Sequence, residues 1–263
     1  MPRNELEQMR QSFAETGFAI ISDVVPRELL SQLQARILEE FERVKKDGRL
    51  FSGGGTMTGH LNCFPGAQSR LAYQVLEKRG IIDFIRTISP KSVRLPNVGG
   101  NLNLPGSIKQ HYHCDRPFTW DFIIANVAAV DTEIANGAID VLPGTHRQWY
   151  PYWKFAFEQA WRRTTRLPLK QGDVLVRSSN VWHRGMPNLT ATPRLMLAFT
   201  WEDGGSVRDD PWSQEGGAIT FYPNWFRTSR RGRLRERTFK TLPITYAAYR
   251  FVRSLVGRKG YSY

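Results

Sequence analysis

Two histidines and a carboxylate stand together in Gln110-His111-Tyr112-His113-Cys114-Asp115, and another histidine follows in Trp182-His183-Arg184-Gly185, with Arg194 shortly after it. Imidazole nitrogens and one carboxylate suit a redox-active iron that must keep open positions for a bidentate cosubstrate and for oxygen. If residues 108–115 are extended, side chains alternate, so His113 and Asp115 project to one side while Cys114 points away. A third ligand must then come from elsewhere, and His183 sits in a short apolar and aromatic segment directly after the strand-like Asp173-Val174-Leu175-Val176-Arg177. His111 shares the parity of His113 and Asp115, so periodicity does not choose between them. An isolated His-x-Asp is a weak signal, because a lone strand histidine is more often a hydrogen-bonded structural residue.

Further motifs in a fixed order carry more information. The run Ala125-Asn126-Val127-Ala128-Ala129-Val130-Asp131 is followed by Asn136-Gly137-Ala138-Ile139-Asp140-Val141-Leu142-Pro143-Gly144-Thr145-His146. Then come Gly172-Asp173-Val174-Leu175, His183, Pro187-Asn188 and Pro193-Arg194. This order resembles the phytanoyl-CoA dioxygenase family of Fe(II)- and 2-oxoglutarate-dependent oxygenases, densely over residues 95–202. The match is thinner toward the N-terminus, where Thr16-Gly17-Phe18-Ala19-Ile20-Ile21 and Val25-Pro26 look like the family's opening strand and helix.

By that resemblance His113, Asp115 and His183 are the iron ligands, Arg194 clamps the distal carboxylate of 2-oxoglutarate, and His111 and His146 fall back to structural roles. An arginine suits that carboxylate because its planar fork makes two parallel, charge-assisted hydrogen bonds. Asn103, Gln110 and Thr119 are further candidates for cosubstrate contacts, and His60, Asn62 and Trp149 for substrate contacts. The expected reaction is hydroxylation, with 2-oxoglutarate converted to succinate and CO2 and O2 as the other cosubstrate. Tyr112 stands where relatives often carry tryptophan, and Cys114 where glutamine is frequent. Asp115 matters more, because related halogenases lack this carboxylate to make room for halide.

These residues need a scaffold, and the rest of the chain supplies one. At 263 residues, with 15 Phe and 8 Trp, a single domain can bury a large core. Only Cys63 and Cys114 are present, which reads as an intracellular, cytoplasmic chain without need of a disulfide. The polar, acidic start Met1-Pro2-Arg3-Asn4-Glu5 is neither a secretory signal nor a transit peptide, and no apolar run is long enough to span a bilayer.

The opening third reads as helical, with one helix beginning at Pro26-Arg27-Glu28 and another over about residues 67–88. Between them, residues 48–62 are too glycine-rich for a regular element and read as a mobile loop at the rim of the pocket; the run lacks the Gly-Lys-Ser/Thr ending of a phosphate-binding loop. Strands dominate from Val93 to Trp201. The aromatic insertion Arg147–Arg163 reads either as a lid over an apolar substrate or as a helix packed on the barrel.

The expected fold is mainly β with flanking helices: a double-stranded β-helix, or jelly roll, with N-terminal helices over 1–91 and the core over 92–203. Together with residues up to 226 these form the dioxygenase domain, and 227–263 form a basic amphipathic extension. The net charge is +13, and from Arg227 onward eleven bases face a single acid, Glu236. Leu242, Tyr246, Tyr249, Val252 and Val256 read as one face of a helix.

Such a tail fits an anionic membrane surface, where each base contributes about 1 kcal/mol. It also fits an acidic or phosphorylated partner, or a helix packed on the barrel with its arginines solvated. No reader motif accompanies the charge, which argues against nucleic acid. The substrate class expected is a small molecule, or one linked to a lipid or glycan. The rival from another class is a non-catalytic, metal-containing jelly roll that binds a ligand or partner.

Overall fold

The computed structural model describes residues 3–47, 58–221 and 230–257. In chain order the elements begin with α1 (Arg3–Thr16), β1 (Phe18–Ile21), α2 (Arg27–Lys46), β2 (His60–Cys63), α3 (Ser69–Lys78) and α4 (Ile81–Ile88). The strands β3 (Asn97–Asn103), β4 (Ile123–Ala128) and β5 (Ile139–Leu142) lead to α5 (Tyr152–Phe157), and β6 (Thr165–Leu167), β7 (Val174–Ser178), β8 (Trp182–Arg184) and β9 (Arg194–Thr200) follow. Two helices, α6 (Arg230–Thr241) and α7 (Pro243–Leu255), close the described chain.

The strands form two sheets, ordered β1-β7-β4-β9-β3-β2 and β6-β5-β8, with every named pair antiparallel. Alternation along the strands sorts the large sheet into two unlike faces. Its outer face carries Ala19, Ile21, Val174, Val176, Ile123, Ala125, Val127, Leu195, Leu197, Phe199, Leu102 and Leu61, which form one core with α2, α3 and α4. Helix α2 meets that face through Leu30, Leu33, Ile37, Phe41 and Val44, the spacing of a single helical stripe.

The inner face is mixed. Phe18, Leu175, Ala128 and Met196 pack with Val141, Leu167, Leu169 and Val181 between the sheets. The register then sets His60 opposite Asn103 and Asn103 opposite Arg194, while Arg177 pairs with Ile124, two positions from Asn126. By that register Arg177, level with Thr200, and the His60–Asn103–Arg194 row stand at opposite ends of the inner face, with Leu175, Ala128 and Met196 between them.

The structure departs from the sequence reading in three places. The helix expected over 67–88 is two helices, broken where Gly80 takes φ +79° before α4, a conformation that glycine reaches without a Cβ penalty. Of the presumed loop over 48–62, residues 48–57 lie outside the described residues, but its end is strand β2, which pairs with β3 and sends Leu61 and Cys63 into the core. Residues 108–115 are not a strand; they meet β8 at one isolated bridge, His113 to His183.

Finally, of the readings left open for the tail, the helix packed on the barrel through its apolar stripe is not the one α7 follows. It buries Tyr246, Arg250 and Ser254, leaving Leu242, Tyr249, Val252 and Val256 exposed. Arg250 decides this orientation: its Nη2 donates to the Tyr112 carbonyl at 2.6 Å and its guanidinium lies 4.1 Å from the Tyr152 ring centre. Within the aromatic insertion, Phe155 is buried and stacks on Trp182 at 5.0 Å, so α5 packs on the outer side of the small sheet.

Candidate active site

Reciprocal backbone bonds join the two histidine segments, His113 N to His183 O and His183 N to His113 O, each 2.9 Å. The pairing sets both imidazoles on one rung, with ring centres 4.5 Å apart. Asp115 joins them, its Oδ1 lying 3.5 Å from His183 Nε2. One ligand atom from each of His113, Asp115 and His183 lies within 4.8 Å of the others, an arrangement able to hold a metal ion.

The tautomers follow from the neighbours. His113 Nδ1 lies 2.8 Å from the His111 carbonyl and His183 Nδ1 lies 2.9 Å from the Val181 carbonyl. A carbonyl only accepts, so each Nδ1 carries the proton and each Nε2 presents a lone pair, the state a metal requires. Burial lowers both pKa values, that of His183 to about 3 with help from the Arg177 charge, so both rings are neutral at neutral pH. Burial alone would raise the pKa of Asp115; the Arg177 guanidinium, with the two histidines, reverses this and holds the carboxyl below the usual range.

Arg177 is the residue that sequence reasoning missed. Its Nη1 donates to Asp115 Oδ2 at 2.6 Å and its Nε to Asn126 Oδ1 at 3.2 Å. One carboxylate oxygen is thereby held, while the other faces His183. The available signal was a charged residue at an inward position of the apolar strand just before His183.

Arg194 is 6% exposed, and its Nε has no hydrogen-bond partner among the described residues. Arg177 and Arg184 are each paired, with Asp115 and Asp140 respectively, whereas no carboxylate among the described residues pairs with Arg194. Burial lowers its pKa to about 10. A buried cation without a carboxylate partner among the described residues is costly to hold. His60 stands nearby: burial lowers its pKa to about 4, its Nε2 meets the Ile108 carbonyl at 2.9 Å, and the charges of Arg194 and His113 both reach it.

The other candidates are more dispersed. Asn103 is committed at both ends, accepting from Ser107 Oγ at 2.5 Å and donating to the Met186 carbonyl at 3.0 Å. Gln110 Oε1 accepts from Gly185 N at 2.9 Å; a Cβ on Gly185 would stand 2.8 Å from that oxygen and 2.7 Å from His60 Cε1, which requires glycine there. Asn62 accepts from Asn101 Nδ2 at 3.3 Å on the inner face of β2. Thr119 is exposed.

Trp149 lines a small cavity with Cys114, Phe118, Asn180 and Trp182. This is the side toward which Cys114 turns, its Sγ donating to the Asn180 carbonyl at 3.3 Å; desolvation pushes its thiol pKa up. His111 packs against Phe239 and Tyr246, each with ring centres 5.3 Å away, and His146 packs edge-on against Phe13.

Solved structures share this architecture. The epimerase SnoN, in complex with Fe3+, alpha-ketoglutarate and nogalamycin RO, is 18% identical with a TM-score of 0.58, over 76% of this chain and 84% of SnoN. EctD from S. alaskensis, with bound Fe, is 19% identical with a TM-score of 0.57, over 76% of each chain. HygX from Streptomyces hygroscopicus, with nickel and 2-oxoglutarate bound, is 16% identical with a TM-score of 0.52, over 76% of this chain and 86% of HygX. The shared fold is the jelly roll of 2-oxoglutarate oxygenases. The family model for phytanoyl-CoA dioxygenase matches residues 13–196, and the chain therefore belongs to the phytanoyl-CoA dioxygenase family of Fe(II)- and 2-oxoglutarate-dependent oxygenases.

Proposed function

We propose that the protein is an Fe(II)- and 2-oxoglutarate-dependent dioxygenase that hydroxylates a small-molecule, lipid-linked or glycan substrate. The observation that carries this reading is a buried Arg194, with no carboxylate partner among the described residues, that acts on His60 together with His113 of a His-Asp-His donor set. His113 and His183 would each give Nε2 to the iron and Asp115 one oxygen, while Arg194 would hold the far carboxylate of 2-oxoglutarate. When bound, iron with 2-oxoglutarate and O2 supplies the oxidising equivalents, and succinate and CO2 leave.

The protein's own residues do the arranging. The Nδ1–H bonds fix the ring planes, and Arg177 holds the second oxygen of Asp115. His60, Asn62 and Trp149 remain the proposed substrate contacts, and Asn103, Gln110 and Thr119 the further cosubstrate contacts. The neighbours include an epimerase and a carbocyclase; hydroxylation is our reading for this chain.

The test is anaerobic visible absorption of the purified protein with Fe(II) and 2-oxoglutarate, followed by succinate release in air. A charge-transfer band together with succinate formation supports the oxygenase. Folded protein that binds iron but shows neither would instead be the non-catalytic binding module.

Arg177→Gln is expected to weaken Fe(II) or Co(II) binding by roughly 10- to 100-fold, as losing a hydrogen-bond partner of a metal ligand commonly does. Metal titration followed by absorption checks this, with far-ultraviolet circular dichroism as the folding control. Unchanged affinity would reduce the Arg177–Asp115 pair to a structural contact.

A further inference from the structure

Helix α7 is built inside out for a helix that lies against water. Toward the protein it turns Tyr246, Arg250 and Ser254, the arginine only 4% exposed. At 100° per residue the opposite side carries Ile244, Ala248, Val252 and Leu255, flanked by Tyr249 and Val256. Ile244 is 83% exposed, Val252 62%, Leu255 57% and Val256 82%. On α5, which packs against α7, Phe157 is 81% exposed. A run of bare apolar side chains on the outside of a helix marks an interaction surface.

The surrounding charge says what it meets. The tail from residue 227 holds eleven bases and one acid, placed both before α7 and after it at Arg258 and Lys259. A second copy of the chain would bring two such tails together against their mutual repulsion, whereas a surface of anionic headgroups over an apolar interior answers both the charge and the bare side chains. We propose that the outer face of α7, with Leu242 and Phe157, docks on an anionic lipid bilayer, its apolar side chains entering the headgroup–acyl boundary and exposed bases such as Arg237, Lys240 and Arg253 meeting the headgroups.

The helix is also a wall of the candidate site. Tyr246 and Phe239 both pack on the ring of His111, which lies 5.4 Å from that of His113. Docking therefore brings the metal end of the jelly roll to the membrane. A consequence that rests on the oxygenase reading is that the substrate has a lipid portion and is drawn from the bilayer.

Co-sedimentation of the full chain tests the docking, with vesicles of phosphatidylcholine alone and of phosphatidylcholine mixed equally with phosphatidylglycerol. Sedimentation with the mixed vesicles only is expected, weakened by salt, and Val252→Asp and Ile244→Ser should each lower it at least ~10-fold without altering thermal unfolding, because both side chains are exposed. Three results would overturn the proposal. One is no sedimentation with anionic vesicles, and another is sedimentation that responds to salt but to neither variant. The third is a concentration-dependent dimer that Val252→Asp disperses, which would assign the face to a second copy. Repeating the assay with His183→Ala separates the two readings: docking should persist whether or not the 2-oxoglutarate band forms.

Discussion

Replacement of His183 by alanine is expected to remove Fe(II) binding at micromolar metal and to lower 2-oxoglutarate-dependent succinate release by more than ~100-fold, beyond the loss typical of residues that only support a ligand. The side chain is 4% exposed, and the Val181 carbonyl fixes its Nδ1–H so that Nε2 alone turns toward Asp115. Two remaining donors do not make a stable site for a divalent ion that ordinarily takes three protein ligands here. The substitution is also a clean probe. The bonds that join residue 183 to residue 113 are between backbone atoms and survive the change. Burial keeps the ring neutral, so its removal alters no charge at neutral pH. Metal titration with the far-ultraviolet spectrum as control checks the result, and wild-type affinity in the variant would sink the ligand assignment.

The second large effect has opposite signs in two measurements. Arg194→Met is expected to raise the KM for 2-oxoglutarate about 100-fold, the equivalent of roughly 3 kcal/mol for one partner of a buried charged pair. The same change should leave the cosubstrate-free protein as stable as wild type, or more stable by about 1–4 kcal/mol, because a desolvated charge without a partner is exchanged for a chain of similar volume. The sign follows from the direction of the shift. The folded pKa of Arg194 lies below that of the unfolded chain, so its charge opposes folding at neutral pH, and that opposition is relieved only as pH rises past about 10. Thermal unfolding without 2-oxoglutarate, set beside kinetics with it, makes the comparison. A variant that is both less stable and unchanged in KM would show that Arg194 is a structural residue.

The parts of this protein that were legible in its sequence are those governed by short-range rules. His113 and Asp115 share a side and Cys114 takes the other, although the segment is not a regular strand, because alternation needs only a locally extended backbone. Arg194 opens β9, and the strand character of Leu195 to Thr200 was plain from its apolar run. Arg177 was overlooked because its partner Asp115 is remote in sequence, and a charge at a strand's end ordinarily reads as solvated.

The tail was left open for a similar reason. Apolar periodicity identified a helix over 242–256, but which side turns inward was decided by Arg250 finding the Tyr112 carbonyl and the Tyr152 ring. The glycine-rich run concealed β2 because composition outweighed the alternation of His60, Leu61, Asn62 and Cys63. Neither point could be settled from local pattern, since each depends on a partner strand or ring supplied by the rest of the fold.

The single rung between His113 and His183 has a further meaning for how the molecule holds together. One bridge, flanked only by single bonds from Gln110 N to the Gly185 carbonyl and from Asp115 N to the Ser179 carbonyl, is a thinner sheet seam than a full ladder. Both proposed imidazole ligands grow from that one rung, so an ion held by them would act as a clasp across the seam. The mouth of the jelly roll would then be tightest when loaded and would fray first when the ion leaves, making metal loss a local unfolding event as well as a chemical one.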